Sequence, residues 1–374
     1  MDKPPVILLS GIRWDFLWQR HQTLTTLFAR AGYPTVFVET TGFANPCPGR
    51  DTLRKVADRI RRAGRADRVD LENRLTIYTP LTAPPTNKLF QWINSKLFAP
   101  RVVRDLLSIT GLDPIVVAYP PTQTTLDLIS GLRPRLLLYD CSDDYEEFTG
   151  VPDDIAKTEG ELIRRADLVS CTSTRLLQKT RSIRPDAFLS GPGVEYERFS
   201  GLQGERPKDI RTVCFFGHLS RERIDLPALI SMAGAGFKVR LVGGLGRLEK
   251  SFLETPGIDY RGEVPHAELP AALEGVDAFV FPYLVNGLTR GISPAKTYEC
   301  MATGKPVVSA PLPAMTELRE YVYLAGKPEE YVKALRGLLE IETEEKIQAR
   351  IDIARRNSWE RRFEELERRL WSRL

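Results

Sequence analysis

The chain of 374 residues is short of several residue types from which active sites are commonly built. Its three histidines, His21, His218 and His266, lie far apart, so a histidine-based metal site is not expected. Its five cysteines, Cys47, Cys141, Cys171, Cys214 and Cys300, form no C-x-x-C pair. An odd, scattered set of this kind reads as reduced thiols of a cytoplasmic protein, not as a disulfide framework. No run of about eighteen apolar residues is present, so no transmembrane helix is expected. The opening MDKPPVILLSG lacks a basic leader and a long apolar stretch, and reads as a first strand, not a signal peptide. No repeat at solenoid periods appears.

What is present is an ordinary soluble composition, 42% hydrophobic, with enough apolar material for two cores. The net charge is only +4, but residues 50–68, RDTLRKVADRIRRAGRADR, hold eight Lys/Arg against three Asp. Leu53, Val56 and Ile60 mark one apolar side at helical spacing, so a basic amphipathic helix is expected there. Such a helix either rests on an anionic membrane surface or is simply solvated. Nucleic acid is not an expected partner, because no reading motif or aromatic stacking platform accompanies the charge.

The element pattern alternates strand and helix throughout. Val6–Ser10, Thr35–Glu39, Arg74–Thr79, Ile115–Ala118, Arg135–Tyr139, Leu168–Cys171 and Ala187–Leu189 read as strands, with helical spacing between most of them. The second half repeats the scheme from Thr212–Phe216 onward. This is the pattern of parallel, doubly wound α/β sheets.

One stretch draws the chemistry together, VDAFVFPYLVNGLTRGISPAKTYECMATGKPVVSAP at 276–311. Ala278–Phe281 reads as a buried strand, and Ser293 followed by Pro294 reads as an N-cap and first-turn proline. The helix is expected to run to Thr303 and stop at Gly304. Lys296 then lies in the first turn, where the helix dipole disfavours a cation. A bound diphosphate resolves that conflict, and Glu299, three residues on, suits two ribose hydroxyls. Solvation of Lys296 and its pairing with Glu299 would explain both residues without a ligand.

SPAKTYECMATGKPVV resembles the nucleotide-sugar signature of GT-B glycosyltransferases. The likeness extends to the opening loop with Trp14, Trp18 and Arg20, to YDCSDDYEEF at 139–148, and to GPGVEYERF at 191–199. It implies two facing Rossmann-like doubly wound parallel-sheet domains with a C-terminal helix crossing back to the first. The domains would be an acceptor-binding unit at 1–199, a nucleotide-sugar-binding unit at 200–357 and the returning helix at 358–374. It implies donor contacts at Gly217, His218, Arg221, Arg223, Asn286, Ile292, Ser293, Lys296 and Glu299, with His218 more simply a satisfied loop histidine. Acceptor contacts would come from Gly11, Arg13, Trp14 and Arg20. From the residues alone, the aromatics of that loop either plug the helix–sheet seam or bind a ligand.

The acidic cluster Asp140, Asp143, Asp144, Glu146 and Glu147 follows the Arg135–Tyr139 strand. Neighbouring carboxylates raise one another's pKa, and Asp143 or Asp144 is the candidate general base. A cap cluster or a solvated acidic loop is the alternative, and DxxDD does not match a metal-binding DxD. Gly291 stands where many retaining relatives carry a second glutamate, which favours inversion. The expected activity is therefore metal-independent, cofactor-free transfer from a nucleotide-sugar, UDP-linked by preference, to a glycan or lipid-linked glycan. The expected place is the cytoplasm or the inner membrane face. A retaining transferase, a sugar-nucleotide epimerase of the same fold and an inactive nucleotide-binding scaffold are the rivals.

Overall fold

The computed structural model describes residues 3–15, 18–40, 61–69, 74–246, 248, 250–292, 294 and 296–374. Ser293 and most of the basic 50–68 stretch lie outside these residues. The chain divides into two compact units, Met1–Ser190 with Phe363–Leu374, and Gly191–Arg362.

The first unit is built on β1 (Val6–Leu9), β2 (Thr35–Val38), β3 (Ala66–Val69), β4 (Leu75–Tyr78), β5 (Ile115–Ala118), β6 (Leu136–Cys141), β7 (Leu168–Cys171) and β8 (Phe188–Leu189). They form one sheet in the order β3-β4-β2-β1-β5-β6-β7-β8. Val6 sits beside Thr35 on one side and Ile115 on the other, and every pairing but β3–β4 is parallel. Helices cover both faces, so β1 and β5 are buried along their whole length, which is why they read as unbroken apolar runs.

Two elements differ from the sequence reading. Residues 66–69 are not the end of a basic helix but strand β3, paired antiparallel with β4. Gly64, at φ +76°, turns the chain back, and ladder pairing with Leu75–Tyr78 outweighs the helical spacing. The helical stretch after Asn87 runs as Lys88–Ile93, a π-helical turn Asn94–Phe98, and Ala99–Thr110. Pro100 has no N–H for the Lys96 carbonyl, and the widened turn absorbs that defect.

The second unit carries β9 (Thr212–Phe216), β10 (Lys238–Val242), β11 (Ile258–Tyr260), β12 (Ala278–Phe281), β13 (Val307–Ser309) and β14 (Tyr323–Leu324). Their order is β11-β10-β9-β12-β13-β14, with parallel pairing throughout. The chain enters this unit at Gly191, ahead of residue 200, because Val194, Tyr196 and Phe199 are already buried in its core. Helix Glu344–Arg356 contributes a wholly buried Arg350. Its guanidinium donates to the Gly304 carbonyl (3.2 and 2.9 Å) and to Glu342 (2.9 Å), and this pairing offsets the cost of taking the charge out of water.

The last helix, Trp359–Trp371, buries Trp359, Phe363, Leu366 and Leu370 and leaves Trp371 exposed. Within the first unit, Phe363 meets Phe28 edge-on at 4.9 Å. Glu367 accepts from Lys3 (2.7 Å) and Tyr33 (2.8 Å) in the same unit.

Candidate functional site

In the second unit the strand order reverses between β9 and β12, and in open α/β sheets the carboxyl ends of such strands form a binding crevice. The chain leaves β9 through Gly217, at φ +133°, and leaves β10 through Gly243, at φ +132°. These turns lock together. A Cβ on Gly243 would stand 2.1 Å from the Gly217 carbonyl oxygen, and Leu219 N–H donates to the Gly244 carbonyl at 2.9 Å. The glycines after β10 therefore serve close backbone packing.

Lys296 rests on this floor. A Cβ on Gly217 would lie 3.0 Å from its Cε and 3.1 Å from its Nζ, and the ammonium stands 5.9 Å from the Phe216 ring centroid. No carboxylate among the described residues forms an ion pair with it. The helix that follows runs only from Thr297 to Ala302, so Lys296 occupies the N-cap position, not the first turn. The Pro294 carbonyl already accepts from both Thr297 N–H (3.0 Å) and Thr297 Oγ1 (2.7 Å), a local turn that delays the helix. Gly304, at φ +72°, follows the helix as expected.

Glu299 takes no hydrogen bond or ion pair among the described residues. Burial pushes its pKa up to about 7, Glu195 adds to the rise, and Lys296 and Arg198 oppose it. Glu195, Arg198 and His266 are thus drawn into the site. Arg198 pairs with Glu195 at 2.5 Å and lies 2.6 Å from His266 Nδ1. Burial, Arg198 and Lys296 lower the His266 pKa to about 4, so the ring is neutral and its Nδ1 accepts from the guanidinium. The likeness at GPGVEYERF singles out neither Glu195 nor Arg198 as a site residue; their acid–base spacing of three residues is the signal the sequence offers.

His218 also lies in this field: burial, Arg223 and Lys296 lower its pKa against Glu263 and Glu222. Arg221 is exposed and Arg223 half-buried on the turn after β9. Asn286 caps the short helix Gly287–Arg290 by accepting from Thr289 N–H (3.0 Å), and donates to the Glu222 carbonyl at 2.9 Å. Its amide therefore ties the loop after β12 to the loop after β9. Ile292 is half-buried with its N–H on the Thr289 carbonyl. Ser293 lies outside the described residues.

In the first unit, Arg20 is committed to the sheet. It donates to Asp140 (2.6 and 3.0 Å) and Ser190 (2.9 Å), and Asp140 also accepts from Ser170 at 2.6 Å. Arg20 and Asp140 are almost wholly buried. His21 stacks on Tyr119 at 3.6 Å, and burial lowers its pKa to about 3. Trp14 plugs the seam against Phe37 (5.1 Å) and Trp18 (5.6 Å), and its N–H donates to Glu39. Arg13 pairs with exposed Asp15, and Gly11 is half-buried.

The two candidate bases are held differently. Asp144 is buried and paired with Lys179 (2.8 Å) and Arg175 (3.5 Å). Burial would lower the Lys179 pKa, but Glu159, Asp144 and Glu146 outweigh it, so the ammonium stays charged. Asp143 is half-buried and accepts from Ser142 at 3.0 Å. Among the described residues no group of three His, Cys, Asp or Glu is placed to hold a metal, and no helix is long and apolar enough to cross a membrane.

Residues 211–340, which span the turn after β9, Lys296 and Glu299, match the protein family described as Glycosyl transferases group 1. This segment is a glycosyltransferase group 1 domain. The chain is also 25% identical over 233 residues to the putative teichuronic acid biosynthesis glycosyltransferase TuaH of Bacillus subtilis, a match covering 57% of this chain and 58% of that one. The chain thus spans a little over half the length of that curated relative. Among solved structures, Anabaena Alr3699/HepE in complex with UDP and glucose superposes with a TM-score of 0.69 at 15% identity, over 99% of this chain and 100% of that one. The α,α-trehalose-phosphate synthase (UDP-forming) of Burkholderia vietnamiensis gives 0.65 at 12% identity, over 99% and 98%. The fold is GT-B, and the group 1 domain is the part that carries Lys296 and Glu299.

Proposed function

We propose that this glycosyltransferase moves a sugar from a UDP-sugar to a glycan or lipid-linked glycan and inverts the anomeric centre. The observation that carries the reading is the Lys296 ammonium, without a carboxylate partner among the described residues, seated on Gly217 where the strand order reverses. A diphosphate supplies the missing charge. Glu299, one helical turn away and without a hydrogen-bond partner among the described residues, takes the ribose hydroxyls. His218, Arg221 and Arg223 serve the sugar-phosphate side, while Arg198 and His266 fix the setting of Glu299.

The names of the relatives support this reading. TuaH is described as acting in teichuronic acid biosynthesis, and the Anabaena protein was solved with UDP and glucose. We assign the base to Asp143 and a supporting role to Asp144. Asp144 is buried and matched by the cations of Lys179 and Arg175, whereas Asp143 is half-buried and accepts from the Ser142 hydroxyl. Arg20, in its buried pair with Asp140, braces the acidic loop from the β1 side, and Gly11, Arg13 and Trp14 border the acceptor.

The deciding experiment is turnover of UDP-sugars with glycan and lipid-linked acceptors, with the product anomer read by NMR. UDP release coupled to a glycoside of opposite configuration is the expected result. A retained configuration would remove the base assignment, interconversion of the donor sugar without transfer would favour an epimerase, and UDP binding without turnover would favour a scaffold.

A further inference from the structure

The helical segment from Lys88 to Phe98 is amphipathic in the reverse sense. Its inward side is polar: Gln91 and Asn94 are buried and fully engaged. Gln91 donates to the Pro85 carbonyl and Asp154, each at 3.0 Å. Asn94 exchanges hydrogen bonds with both backbone groups of Ala83 (2.8 Å each) and donates to Thr124 at 2.9 Å. Its outward side carries Leu89, Trp92 and Leu97, which are 64%, 57% and 60% exposed. A folded chain gains nothing from burying two amides while showing water a tryptophan and two leucines.

Charge identifies the occupant. Residues 86–104 contain four cations, Lys88, Lys96, Arg101 and Arg104, and no acidic residue. Lys96, Arg101 and Arg104 are exposed and form no ion pair among the described residues. An outward Trp–Leu set flanked by unpaired cations matches the boundary of an anionic bilayer, where the apolar groups enter the acyl edge and the cations meet headgroup phosphates. A protein partner complementary to this face would need an apolar groove rimmed with acids.

We propose that Leu89, Trp92 and Leu97, with Lys96, Arg101 and Arg104, form a membrane-docking surface of the first unit for anionic lipid. The surface belongs to the first unit and the donor residues to the second, and docking requires no nucleotide. Its failure is therefore separable from failure of the transfer reading.

The test is sedimentation of the full chain with vesicles of phosphatidylcholine alone or with added phosphatidylglycerol, with and without high salt. Brominated lipid reports on Trp92, using Trp92→Phe as the control. Binding to the anionic vesicles only, loosened by salt, with bromine quenching that Trp92→Phe removes, is expected. Leu89→Ser with Leu97→Ser should weaken partition by about tenfold or more, with unchanged circular dichroism and melting temperature. Replacing Lys96, Arg101 and Arg104 with serine should remove the salt-sensitive part. Equal partition of the wild type and a folded Leu89→Ser/Leu97→Ser variant would overturn the proposal. So would a dimer in light scattering that this variant dissolves without any vesicle binding by the wild type.

Discussion

The side chain of Lys296 lies on the α-carbon of Gly217, close enough that a single methyl group there would stand 3.1 Å from the ammonium nitrogen. The contact couples the turn after β9 to the residue preceding the Glu299 helix. Gly217→Ala has two effects. It places a side chain at φ +133°, which L residues rarely adopt, and it pushes Lys296 off its seat. A stability loss of about 1–3 kcal/mol is expected from the backbone alone. UDP affinity should fall by more than the melting temperature explains, which calorimetry on the same samples would establish.

Lys296→Ala and Glu299→Ala should each weaken UDP binding by about 1–3 kcal/mol, the scale of a lost charge-assisted hydrogen bond. Isothermal titration checks this, and wild-type affinity in both variants would remove the site. The same charge arrangement predicts that EDTA leaves turnover unchanged; loss of turnover restored by Mn²⁺ or Mg²⁺ would count against it.

Glu299 makes the group 1 domain sensitive to pH. Its carboxyl rises from 4.5 to about 7 in the fold, so the folded state holds the proton more tightly than the unfolded chain. The associated stabilisation is present below pH 4.5 and is lost as pH rises toward 7. Glu299→Gln, which keeps the neutral shape, should match the wild-type melting temperature at pH 4 and exceed it at pH 8. UDP affinity of the wild type should fall as pH drops through 7, because the ribose hydroxyls donate best to the ionised form. A variant whose melting curve parallels the wild type across this window would refute the assignment.

Asp143→Asn and Asp144→Asn should separate chemistry from support. General-base catalysis contributes roughly 10²–10⁴-fold, so Asp143→Asn should lower kcat by that order with UDP affinity and melting temperature intact. Asp144→Asn leaves Lys179 and Arg175 with less negative charge and should lower stability by about 1–3 kcal/mol. A normal kcat in Asp143→Asn would make Asp143 a surface carboxylate and would take away the main support for inversion.

Strands that are apolar on both faces were legible in the chain. Ile115–Ala118, Leu168–Cys171, Thr212–Phe216 and Ala278–Phe281 were read with the bounds they have, because burial on two sides makes each a mostly apolar run. Strand β3 was not legible, since its reason for existing is the partner strand Leu75–Tyr78 and not its own composition. The late start of the Glu299 helix depends on a hydroxyl of Thr297 competing for one carbonyl, a contest that residue spacing does not reveal. Lys296 and Glu299 were singled out from their position on one helix. Their neighbours Glu195, Arg198 and His266 meet only after folding, from segments about seventy and a hundred residues apart in the chain, beyond the reach of periodicity.

Arg350 reaches the Gly304 carbonyl from beyond the end of the matched segment, where its acceptor Glu342 also lies. On the other side, Val194, Tyr196 and Phe199 fill the same core from before residue 211. The stretch that carries the family signature is therefore not a folding module. A fragment cut at 211 and 340 would leave the carbonyl at the foot of the Glu299 helix bare and open the core at two places. Exchanging the second unit between chains of this fold thus requires a junction near Gly191 at the front and one after the Arg350 helix at the back.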